Sequence, residues 1–147
     1  MNKHSPKSAG QLGFDALLTE AEAANAALRF ELETGHLPSG YAEAIPFYRS
    51  LIERNHAAML AADVDTVLQL HREAHALALR LNGREPGILA HDDAPGYVLA
   101  RETATPEGSF PLWGQHGTFI VDVDDMRVSI EMDGMFGIGR PREENIA

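Results

Sequence analysis

The sequence predicts an α+β domain with helices first and a small antiparallel sheet last. Three observations carry this. Apolar residues recur every three or four positions through the first half of the chain. After Pro86 the period changes to strand-like runs. Acidic and glycine-containing turns separate the alternating runs.

Residues 1–10 are polar, contain Pro6 and Gly10, and read as a tail. From Gln11 to Thr34, Leu12, Phe14, Leu17, Leu18, Ala21, Ala24, Leu28 and Leu32 follow a helical period, and Gly35 offers a left-handed stop. After the Pro38-Ser39-Gly40 loop, a second helix is expected over 41–62, with Ile45, Tyr48, Leu51, Ile52 and Met59 on one side. Pro46 falls inside it, so an early start with a bend is expected. Asp63 is an N-cap for a third helix over 64–82, ended by Asn82-Gly83. The second and third helices are joined so tightly that they should form an antiparallel hairpin.

The helical part thus spans 11–83 and the sheet part 95–139, within one domain of 11–139, and residues 140–147 form a second polar tail. Tyr97–Arg101 reads as a strand. Thr118–Val123 and Arg127–Met132 form the surest hairpin, turned by Asp124-Asp125, with Phe119, Val121 and Val123 opposite Val128, Ile130 and Met132. That face is expected to be buried against the helices. Met135–Ile138 reads as a short last strand.

Composition narrows the function. The 147 residues carry a formal charge of −10 and no cysteine. No disulfide framework, thiol nucleophile or zinc ribbon is available to such a chain. The C-terminal part, 91–147, holds 11 acidic and 4 basic residues, a net −7, and would repel nucleic acid and anionic membranes. Neither nucleic acid nor a membrane is an expected partner. No apolar leader follows the N-terminal lysines, so a cytoplasmic protein is expected. Ten arginines against two lysines, with abundant alanine, suggest a GC-rich bacterial genome.

Two constellations invite chemistry. Glu53, His56, His71 and His75 lie on the helical hairpin, and a turn near Asp63 would bring all four to one height. Imidazole and carboxylate together suit a divalent transition metal. The set departs from known motifs, since Arg72 occupies the position of a metalloprotease glutamate and only one Glu-x-x-His unit is present. Boundary histidines are therefore the preferred reading: His71 mostly buried, His56 and His75 partly exposed, and no cofactor, with a divalent ion as the alternative. The second constellation is the loop Phe110-Pro111-Leu112-Trp113-Gly114-Gln115-His116, which holds the chain's single tryptophan. Trp113 is expected to plug the core, with Phe110 or Leu112 partly exposed beside a shallow pocket bordered by His116.

Two further patterns fail on spacing. Asp122–Asp125 lacks the glycine and glutamate that a calcium loop requires, and Asp133–Gly139 lacks the following helix that a phosphate cradle requires. The loop residues His91, Asp92, Asp93 and His116 have no nucleophile setting beside them. The expected function is therefore a non-catalytic protein-interaction or regulatory module, acting on a protein partner or through self-association. A small metal-dependent or acid–base enzyme using the hairpin site is the alternative.

Overall fold

A computed structural model describes residues 6, 8–84 and 92–137. The tail 140–147, Ile138 and His91 lie outside the described residues. The elements run α1 (Ala9–Thr34), α2 (Tyr41–Leu60), α3 (Val64–Leu81), α4 (Pro95–Glu102), β1 (His116–Val123), β2 (Met126–Asp133) and a 3-10 turn over Gly134–Phe136. The α+β class holds. The chain divides into two compact units, residues 1–36 and 37–147.

In the first unit, α1 begins two residues earlier than its apolar spacing suggests. Ser8 and Gln11 form a reciprocal capping box, in which each side chain accepts the other's backbone N–H. This box moves the helix start into the segment read as tail. Gly35 ends α1 in the right-handed region at φ −60°, not in the expected left-handed one. Its use is space, because a Cβ there would strike the Glu31 carbonyl oxygen.

In the second unit, α2 starts at Tyr41 and carries Pro46 within it, as the early-start reading requires. Asp63 caps α3: its carboxylate accepts from the Thr66 N–H at 3.2 Å and from the Thr66 hydroxyl at 2.6 Å. Those two bonds hold the Asp63 carboxyl below its usual range. Asn82 and Gly83, the latter at φ +63°, close the helix. Leu51 and Ile52 of α2 share one core with Leu70, Ala74 and Leu77 of α3, so the hairpin forms as expected.

Tyr97–Arg101, expected as a strand, lie within helix α4. Tyr97 and Val98 favour strands locally. However, Pro95 is preorganised for a first helical turn, and the buried residues Pro95, Gly96, Leu99, Ala100 and Thr103 recur at helical spacing. Tertiary burial of that stripe overrides local preference. The expected last strand is likewise absent. Gly134 at φ +77° turns the backbone off the sheet into the 3-10 turn, which drives Met135 and Phe136 into the helical core. Phe136 stacks on Tyr48 at 5.4 Å between ring centroids.

β1 and β2 form the expected hairpin, offset from a three-against-three match: Phe119 stands opposite Ile130 and Val121 opposite Val128, while Val123 faces Met126 and Met132 faces Gly117. Arg127 bonds Asp122, its cross-strand partner on the other face, at 3.2 Å. The apolar face is covered less than expected. Phe119, Val121 and Met132 are half-buried, but Val123, Val128 and Ile130 remain 47%, 39% and 37% exposed. Part of the cover is a loop side chain: Phe110 meets Phe119 edge-on at 5.2 Å.

Candidate functional site

The long connection between α4 and β1 is fastened to α2 at one residue. Asn55 and His56 are consecutive on α2 and both reach Trp113. The Asn55 side-chain amide donates to the Trp113 carbonyl at 2.8 Å, and the Trp113 N–H donates to His56 Nδ1 at 3.1 Å. Both backbone polar groups of one loop residue are thereby satisfied by one helix. The next residue must be glycine. Gly114 sits at φ +92°, and a Cβ there would lie 2.7 Å from Asn55 Nδ2.

The rest of the loop is tied in the same way. The Gln115 side chain accepts from the Leu112 N–H at 3.0 Å and donates to the Thr103 carbonyl at 3.0 Å. The Thr105 N–H donates to the His116 carbonyl at 2.8 Å. The loop backbone is therefore anchored at both ends and in the middle.

This anchoring decides which side chains are buried. Leu112 packs against the core and takes the plugging place expected of Trp113. Trp113 is 50% exposed and Phe110 71% exposed. With Trp113's backbone pinned to α2, half of the residue stays in solvent rather than in the interior. His116 is half-buried. Its Nδ1 is buried without a partner among the described residues, and its carbonyl, rather than its ring, makes the loop contact.

Beside Trp113 runs a groove of about 340 Å³. His71 of α3, Asn55 and Met59 of α2, and Met132 and Asp133 at the end of β2 line it. Asn55 is 2% exposed, and its Oδ1 has no partner among the described residues. Phe110 borders a second groove, of about 440 Å³, together with Phe119 and Ile120.

The four proposed ligand residues have different surroundings. His56 is committed through Nδ1 to the Trp113 backbone. His75 is exposed and sets its ring edge-on to Phe136 at 5.1 Å. Glu53 is exposed, and His71 faces the groove, half-buried rather than mostly buried. Among the described residues, no three His, Asp or Glu side chains gather as a metal would need. Desolvation, with a smaller contribution from the neighbouring His75, pulls the His71 pKa down. A histidine depressed in the folded state binds its proton more readily when unfolded. The thermal midpoint should therefore fall as pH drops from about 7 to 5, below the ordinary histidine value. His71→Gln should flatten that dependence, and a wild-type midpoint constant over this range would contradict the environment described.

Sequence reasoning missed Asn55, although a signal was present. Asn55 continues the spacing of Tyr48, Leu51, Ile52 and Met59, and is a polar residue on an apolar stripe. Such a residue needs a buried partner, and the loop backbone is that partner.

The chain is similar to the KlcB proteins of Escherichia coli. One is 38% identical over 63 residues, covering 42% of this chain and 16% of that protein. Another is 32% identical over 103 residues, covering 69% of this chain and 22% of that protein. The chain thus spans about a fifth of the length of the curated relatives it matches. No protein-family model matches the chain, and no solved structure matches it. Among the described residues, no helix is long and apolar enough to cross a membrane.

Proposed function

We propose that this chain is a protein-interaction module whose contact surface is the pinned aromatic loop, with Trp113 and Phe110 as anchors. The observation that carries the reading is the contrast at Trp113. Its backbone is held by two side-chain hydrogen bonds from α2, yet half of its surface stays in water. Tryptophan dominates binding energy at interfaces out of proportion to its frequency. An anchor already fixed in place loses little entropy when a partner arrives. The groove beside it would receive a partner side chain, and His71 and Asp133 would offer that side chain polar contacts. The net −7 over residues 91–147 favours a partner with a basic face. A similarity confined to about a fifth of each KlcB protein also fits a module used within larger chains.

The test starts from a photo-reactive amino acid at position 113 in the native cell, with the exposed position Glu102 as control. The protein joined specifically at 113 is then purified and titrated calorimetrically. Trp113→Ala should weaken its binding roughly 30-fold or more, the effect of about 2 kcal/mol expected of a hot spot. The thermal midpoint of the isolated module should move little. Unchanged affinity in Trp113→Ala would remove the loop as the contact surface.

A further inference from the structure

On α1, Phe14, Leu17, Ala21, Ala24 and Leu28 follow one another at alternating intervals of three and four residues. That spacing draws one seam along a helix, the seam that pairs with a second helix by knobs-into-holes packing. Leu18 and Leu32 widen it to a stripe of about 120° around the helix, at 3.6 residues per turn. Every side chain of the stripe is exposed. The large ones are strongly so: Phe14 61%, Leu17 66%, Leu18 45%, Leu28 60% and Leu32 76%. A contiguous apolar strip of this length on a helix in water marks a contact surface.

We infer that this stripe is a homodimer interface in which two α1 helices pair antiparallel. The order of residue sizes points to a second copy, because large residues stand at both ends and the two alanines at the middle. Run antiparallel against itself, the stripe places Phe14 opposite Leu32, Leu17 and Leu18 opposite Leu28, and Ala21 opposite Ala24. The central alanine layers let the helices approach closely, and the bulky residues close both ends. A two-fold axis then passes near residue 23, as an isologous interface requires. Asn25 lies within the stripe between Leu32 and Leu18, so each copy sets one amide in the seam opposite the other copy's Ala21.

The helix dipole favours the antiparallel orientation, and the charges supply a contact that reports it. Arg29 is the single basic residue of α1, which also carries Asp15, Glu20, Glu22, Glu31 and Glu33. Asp15 and Arg29 lie on the same edge of the stripe, one at each end. The antiparallel arrangement brings each Arg29 to the other copy's Asp15, two attractions set against a Glu22–Glu22 repulsion near the axis and a repulsion of each Asp15 by the other copy's Glu33 on the same edge. In a parallel, in-register pair Asp15 and Arg29 stay fourteen positions apart, roughly 21 Å along the axis, and Arg29 faces Glu31 instead. Antiparallel pairing also opposes the two helix dipoles. Exposed ion pairs contribute little energy, so the apolar stripe supplies the association and its order of residue sizes the direction.

The full 147-residue chain tests this by sedimentation over a concentration series. A concentration-dependent dimer is expected. Leu17→Glu and Leu28→Glu should each weaken it roughly tenfold or more by burying a charge in the seam, with helical content by circular dichroism unchanged. Asp15→Arg and Arg29→Asp should each weaken it, and the double exchange should restore it. The native chain lacks cysteine, so orientation can be read with single thiols and a short bis-maleimide. Leu17→Cys mixed with Leu28→Cys should give the mixed cross-linked dimer. Either variant alone should not, because like thiols would lie eleven residues apart along the axes, roughly 16 Å. A monomer at every concentration overturns the inference, as does a dimer that survives both glutamate variants. Cross-linking of like with like only overturns the antiparallel arrangement.

Discussion

Gly114→Ala is expected to detach the aromatic loop from α2. The added methyl would crowd the Asn55 amide nitrogen, only 2.7 Å away, at a backbone φ of +92°. Holding a non-glycine residue there costs about 1–3 kcal/mol. Release instead forfeits the two bonds to Trp113, each with a net contribution of about 0.5–1.5 kcal/mol, and leaves the buried Asn55 side chain without its partner. Either route destabilises the protein by at least about 1–3 kcal/mol. Because Trp113 is the chain's single tryptophan, its fluorescence reports the loop directly. A red shift of the emission, together with faster amide exchange at Trp113, is the expected signature. A variant with wild-type emission and midpoint would show that the loop is not held through this contact.

Leu51→Ala is expected to have the largest effect on stability alone. Leu51 is fully buried in α2, in the core that joins α2 to α3, α4 and the Met135–Phe136 turn. Truncating a leucine in such a site removes transfer energy and leaves a cavity, at a cost of about 2–5 kcal/mol. Urea denaturation should show a lower midpoint with an unchanged slope. A loss below about 1 kcal/mol would mean that the core collapses around the missing side chain more freely than close packing allows.

These two positions differ in how readable they are. Leu51 announces itself, because it lies on the apolar side of a helix whose period is plain in the sequence. The same holds for the Asp63 cap, the Asn82-Gly83 stop and the β1–β2 hairpin with its Asp124-Asp125 turn, all of which depend on residues close together in the chain. Gly114 does not announce itself. Its necessity comes from Asn55, 59 positions earlier, and no local pattern ties the two together.

The elements that depart from local preference follow the same rule. Tyr97–Arg101 has strand-forming side chains, but α4 is set by burial of Leu99 and Ala100 in a core built by α2 and α3. Met135 and Phe136 follow the strand as if to continue the sheet, yet the left-handed Gly134 sends them under the helices. Placing four metal ligands by rotation along two helices leaves out the loop backbone, which occupies His56 Nδ1.

Periodicity, capping chemistry and turn residues therefore settle where the first three helices and the hairpin lie, because each acts through neighbours within one or two turns of chain. Packing between distant segments settles which apolar residues become core and which stay in water. Trp113 and Leu112 are adjacent in the sequence and both apolar in character. Only the Asn55 and His56 bonds to the Trp113 backbone fix the loop so that Leu112 points into the core and Trp113 remains half in solvent.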